Sequence, residues 1–154
     1  MLHNDVDREA QTIAAKHGAR LRCTRGCSAC CVDDLTVFEI EADAIREAHG
    51  ELLSTGVPHP EGACAFLDDE GACRIYDARP YVCRTQGLPL RWFAEQGEYR
   101  DICPLNEPDG PPLTELPEDS CWTIGPVEGR LAGLQRERGP EGARVALRSL
   151  FVKR

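Results

Sequence analysis

Nine cysteines in 154 residues limit what this chain can become more than any other feature of it. They stand at 23, 27, 30, 31, 64, 73, 83, 103 and 121, and the stretch CTRGCSACC holds four of them. Cysteines tie a fold together either as disulfides or as thiolates on a metal. An odd number leaves at least one thiol over in any fully paired scheme. The opening MLHNDVDREA is acidic and polar, without the basic and apolar regions of a secretory signal. No apolar run approaches the roughly 20 residues that cross a bilayer. These features predict a cytoplasmic chain away from any membrane, where thiols stay reduced and clusters of them bind metal.

Such a crosslink is needed. Leu, Ile, Val and Phe together number 33, about 21% of the chain, close to the ~20% at which charged sequences lose the means to build a core. The length suits one domain over 1–154, with a cysteine-cluster core over about 20–105 and a helical segment over about 125–154. A net charge of −8 excludes general nucleic-acid binding, which needs a basic surface. Arg22, Arg25, Arg74, Arg79 and Arg84 crowd the cysteines in sequence. Either they partly neutralise a thiolate–metal site, or they reflect a composition with 16 Arg and 2 Lys.

Apolar spacing predicts a helix over 5–21, with Val6, Ala10, Ile13, Ala14 and His17 as its stripe. A second helix is expected from a Thr36/Glu39 capping box, stapled by Leu35 and Ile40 and stopped at Gly50. CAFLDDEGACRIY, 64–76, predicts a hairpin turning on DDEG, with Cys64, Phe66, Cys73 and Ile75 on one face. A helical turn opens at Asp77 with Pro80 inside it, and a proline-rich ordered coil follows over 85–121, anchored by Trp92, Phe93 and Tyr99. Within it, 106–120 reads as a solvated loop or a recognition surface. Two closing helices begin at Pro126 and Pro140. The expected class is mostly α with a short β-hairpin and extensive coil, a small metal-stabilised cysteine-rich domain.

Cys23, Cys27 and Cys30 share the C-x3-C-x2-C order of radical enzymes that cleave S-adenosylmethionine. Those enzymes carry an aromatic residue where this chain has Ala29. They also need most of a barrel, and their spacing leaves Cys31, Cys64, Cys73 and Cys83 unexplained. The alternative is a metal-holding cluster, because thiolates suit zinc and iron–sulfur centres. Adjacent Cys30 and Cys31 are awkward ligands for one small ion, so either one is idle or the site holds more than one ion. His59, in PHP ahead of Cys64, is the histidine placed to join them, solvent exposure being its other reading.

Cys27-x2-Cys30-Cys31, followed by Cys64 and by Cys73-x-Ile75-Tyr76-x2-Arg79-Pro80-x2-Cys83-Arg84, resembles the CxxCxxCC cysteine-cluster family of zinc- or iron-chelating domains, over about residues 20–105. The resemblance implies that Cys27, Cys30, Cys31, Cys64, Cys73 and Cys83 bind metal. Cys23 joins them only with one residue inserted, since three residues separate it from Cys27 where the family has two. Cys103, in DICPLN, is a further candidate ligand. Zinc is the expected ion, with an iron–sulfur cluster as the alternative. Tyr76 is expected as a core ring, Arg79 as an ion-pair partner and Pro80 as a helix starter.

The implied function is a metal-binding protein whose thiolate site is structural or serves metal or redox handling, acting through a protein partner. The competing reading is an enzyme, because the cluster also occurs in flagellin lysine methylases. Arg84, Gln86, Arg91 and Trp92 would then line a donor pocket, although no glycine-rich loop follows a strand to cradle the donor. A third reading is thiol–disulfide or sulfur-transfer chemistry at a cysteine activated by arginine.

Overall fold

The computed structural model describes residues 2–140 and 142–152. In chain order its elements are α1 (Leu2–Ala15), β1 (Thr36–Phe38), α2 (Glu39–Thr55), α3 (Tyr81–Arg84), β2 (Leu90–Ala94), β3 (Gly97–Asp101), β4 (Trp122–Thr123), α4 (Pro126–Arg138) and β5 (Arg144–Ala146), joined by coil and 3₁₀ turns. No helix among the described residues is long and apolar enough to cross a membrane. The chain divides into two compact units, Met1–Cys23 with Tyr81–Glu128 and Thr24–Pro80 with Gly129–Arg154.

In the first unit, α1 buries Val6 and Ile13 on the expected stripe. It begins earlier than predicted and stops at Ala15. The amides of Lys16 and His17 turn to Ile13 and Ala14, and a 3₁₀ turn over Gly18–Arg20 follows with Gly18 at φ +51°. The next helix, α3, packs on α1, where Arg84, its side chain only 5% exposed, meets Asp7 at 2.6 Å. Pro80 stands directly before α3, and Asp77 lies in a separate 3₁₀ turn, so Pro80 rather than Asp77 opens the helix.

The stretch predicted as coil holds a sheet. Strands β2 and β3 form an antiparallel hairpin in which Trp92 faces Tyr99 and their rings stack at 5.8 Å. On the other edge β4 runs parallel to β2, Leu90 opposite Trp122. Trp122 is 2% exposed and donates from Nε1 to the Tyr81 hydroxyl at 2.9 Å. Two arginines pin the prolyl segment after the hairpin. Arg20 donates to the carbonyls of Asn106, Glu107 and Pro111, and Arg100 to those of Leu113 and Leu116. The segment is therefore held to its own unit.

The second unit is built on an apolar cluster of Val37, Ala42, Ile45, Leu53, Phe66, Ile75, Leu147, Leu150 and Phe151, with Cys64 and Cys73 packed against it. Burying each Val, Leu, Ile or Phe of this cluster contributes about 1.5–3 kcal/mol. Two predictions fail here for one reason. Thr36 does not cap a helix, and the described residues after Pro140 form no α-helix, Glu141, Lys153 and Arg154 of the expected helix lying outside them. Thr36 pairs with Ala146 and Phe38 with Arg144, so the two segments make a two-stranded antiparallel ladder. Helix α2 then begins at Glu39, and the Glu41 carboxylate reaches back to the Phe38 amide at 3.4 Å. It runs through Gly50, with His49 off helical geometry, and the Gly56 amide closes it on Leu52. The last helix, α4, forms as expected, and its Gln135 accepts from the Ile40 amide at 3.0 Å.

The hairpin expected at 64–76 is reduced to one isolated antiparallel bridge, Leu67 opposite Cys73. The register is one residue from the predicted one. The Asp68 carboxylate accepts from the amides of Glu70 and Ala72, and Gly71 takes φ +76°, which gives the loop an extra residue. Cys64, Phe66, Cys73 and Ile75 nevertheless meet at one apolar cluster, as expected. Tyr76 is not a core ring. It is 61% exposed, and the Arg79 guanidinium stacks on it at 3.6 Å.

Candidate metal centre

All nine cysteines are free thiols. Five of the eight predicted ligands lie in the second unit, on two segments tied by the backbone. Amide–carbonyl bonds from Cys27 to Thr24 and from Cys31 to Ser28 coil residues 24–31 into two tight turns. The Cys64 amide then donates to the Cys31 carbonyl at 2.9 Å, joining this loop to the 64–73 segment. A second contact lies at the bend of that segment. A Cβ on Gly71 would stand 3.2 Å from the Gly26 carbonyl oxygen and 3.3 Å from the Ser28 hydroxyl. Two backbones meet there, and glycine is the residue that allows it.

These ties bring the segment of Cys30 and Cys31 against that of Cys64 and Cys73. Burial, with the neighbouring Cys30, Cys64 and Cys73, pushes the Cys31 thiol up to about 12, and a hydrogen bond with Cys30 adds to this. Burial also raises Cys64 and Cys73, against hydrogen bonds from the amides of Phe66 and Ile75. Arg74 and Arg79 pull Cys73 the other way, and Arg148 and Arg74 pull Cys64. Four soft donors whose joint ionisation is unfavourable without a cation suit a thiophilic ion, because a divalent metal reverses the electrostatics and binds the thiolate form. The set agrees chemically with zinc or iron. Its geometry is not that of a closed site: among the described residues no three His, Cys, Asp or Glu side chains are arranged to hold a metal ion.

The loop facing this cluster has a support that the sequence did not reveal. Asp33 receives a two-pronged bond from Arg148, both contacts at 2.8 Å, and a bond from the Gly62 amide at 2.9 Å. The Arg148 bonds, followed by the Gly62 amide, lower the Asp33 carboxyl to about 2. Arg148 also donates to the carbonyls of His59, Pro60 and Ala63, which fixes the strand of chain leading to Cys64. A pair 115 positions apart leaves no local signal.

Of the predicted ligands, Cys23, Cys83 and Cys103 belong to the first unit, as does buried Cys121, which was not placed in the set. Cys83 lies on α3, and Cys103 opens a turn closed by the Asn106 amide on its carbonyl at 2.8 Å. His59 is half-buried and its backbone is engaged at both ends, by Ala65 and Arg148. Of the residues offered for a donor pocket, Arg91 pairs with Glu118 at 2.9 Å and Trp92 stacks on Tyr99. Arg22 pairs with Asp109.

A small fold carrying free thiols on two loops stitched together by their own backbones has the make-up of a cysteine-based metal-chelating domain. The family model CxxCxxCC, described as "Putative zinc- or iron-chelating domain", matches residues 22–104, and the chain belongs to this family. That membership is consistent with metal binding and names zinc or iron without choosing between them. Comparison with curated proteins and with solved structures returned no match.

Proposed function

We propose that this is a zinc-binding protein of the reducing cytoplasm, whose ion is held by cysteine thiolates and serves chiefly to crosslink a fold with a small apolar core. The candidate donors are Cys27, Cys30, Cys31, Cys64 and Cys73 in the second unit and Cys23, Cys83 and Cys103 in the first. These are more sulfurs than one zinc ion takes, so either more than one ion is bound or some of them are idle. The observation that carries the reading is the 2.9 Å bond from the Cys64 amide to the Cys31 carbonyl, which ties the segment carrying Cys27, Cys30 and Cys31 to the segment carrying Cys64 and Cys73. Zinc has no redox demand and closes sites of four thiolates. When bound it supplies a positive centre that keeps the sulfurs ionised. The chain supplies the turns that present them, the Arg74 and Arg79 charges beside them, and the Asp33–Arg148 brace. A protein partner, met in metal or redox handling, would be its functional counterpart.

Metal analysis and an absorption spectrum of protein purified without oxygen test this directly. A colourless protein with stoichiometric zinc is expected. A brown protein containing iron and sulfide would replace zinc with an iron–sulfur cluster on the same thiols, and metal-free protein would remove the reading.

A further inference from the structure

Asn106 is fully buried, and each of its polar atoms is engaged inside the first unit. Its Nδ2 donates to the Gly87 carbonyl at 2.8 Å and also to the Cys23 Sγ at 3.7 Å. Its Oδ1 accepts from the Arg22 amide at 2.8 Å. Its own amide donates to the Cys103 carbonyl at 2.8 Å, and its carbonyl accepts from Arg20 Nε at 2.9 Å. One side chain thus binds the backbone just before Cys23, the Cys23 sulfur, and Gly87, four residues beyond Cys83. The same residue closes the turn that begins at Cys103.

Gly87 completes the arrangement. It sits at φ +90°, and a Cβ there would stand 2.5 Å from the Cys23 Sγ, so the sulfur rests on bare backbone. A neutral thiol is a weak acceptor, and a long N–H···S bond to it gains little for a buried amide. A thiolate on a metal is a stronger acceptor, and donors to ligating groups orient them and tune their basicity.

We propose that Asn106 is a positioning residue for a metal-bound Cys23 thiolate, its amide holding that sulfur against the Gly87 backbone in one rigid assembly with the Cys103 turn. This rests on the metal-binding reading above and deepens it at Cys23, the candidate that the family's spacing fits only with an inserted residue. At Cys23 the sulfur is located by a buried amide rather than by its distance along the chain from Cys27.

Cobalt(II) loading of the full chain tests the assignment, because sulfur-to-cobalt charge-transfer absorption reports thiolate ligands. Cys23→Ser, at an exposed position, should fold and lose part of that band per bound cobalt. Asn106→Ala should weaken cobalt binding about tenfold to a hundredfold in competition titrations, and should shift the band, which a loss of loop packing alone would not do. Should Asn106→Ala fail to fold, Cys23→Ser carries the test. A Cys23→Ser protein with the wild-type band and stoichiometry overturns this proposal alone. Wild-type protein with no cobalt–sulfur band overturns the metal-binding reading beneath it as well.

Discussion

Replacing Gly71 with alanine attacks the contact that joins the two cysteine-bearing segments of the second unit. Gly71 sits at φ +76°, where an L side chain costs about 1 kcal/mol or a little more. The new methyl would also meet the Gly26 carbonyl oxygen at 3.2 Å and the Ser28 hydroxyl at 3.3 Å. The hydroxyl can rotate away, whereas the carbonyl is backbone and moves only with the loop carrying Cys27, Cys30 and Cys31. Overpacking of this kind adds about 1 kcal/mol. The sum, about 2 kcal/mol, corresponds to a Tm lowered by about 4–8 °C for a chain of this size. Gly18→Ala is the control, with φ +51° and nothing within 4 Å of its added methyl, so it carries strain without contact. Thermal melts of metal-free protein should place Gly71→Ala clearly below Gly18→Ala, and metal affinity should fall only in Gly71→Ala. Indistinguishable melts with unchanged affinity would refute the packing of the 24–31 loop on the 68–71 turn.

Further outcomes follow from single contacts. Tyr81→Phe removes the acceptor of the buried Trp122 indole N–H and should cost about 1–3 kcal/mol in urea unfolding; the double variant with Trp122→Phe should lose less than the sum, and a neutral Tyr81→Phe would count against the bond. Asp33 has a folded-state carboxyl lowered to about 2 by Arg148 and the Gly62 amide, below the ~3.9 of an unfolded chain. Its stabilising contribution is therefore complete above about pH 4 and is lost as pH falls towards 2. Asp33→Asn should flatten the stability–pH profile in that window, and an unchanged slope would contradict the brace.

What the sequence made legible was what is local. The α1 stripe, the Pro126 helix and the pairing of Cys30 with Cys31 in one tight loop all rest on neighbours in the chain. Thr36 and Glu39 make a plausible capping box, yet Thr36 is taken by a strand partner 110 residues away, and no local pattern announces that. The same partner turns 144–146 from helix to strand. The 90–101 hairpin was missed because β3 is largely exposed, so it lacks the apolar alternation that marks a half-buried strand. The 64–76 segment was identified as a turn, but its register hinged on the Asp68 side chain bonding two amides, which shifted the pairing by one residue. For the candidate centre, spacing singled out the sulfurs, and the structure ties the segments that carry Cys31 and Cys64 by a backbone bond. Asn106, Gly87 and Arg148 carry no motif and were visible only in three dimensions.

X-ray absorption at the metal edge of the purified, loaded protein addresses the central claim most directly. Sulfur scatterers at about 2.3 Å around zinc are the expected result. A nearest shell made only of nitrogen and oxygen would mean that the thiols are not what holds the ion.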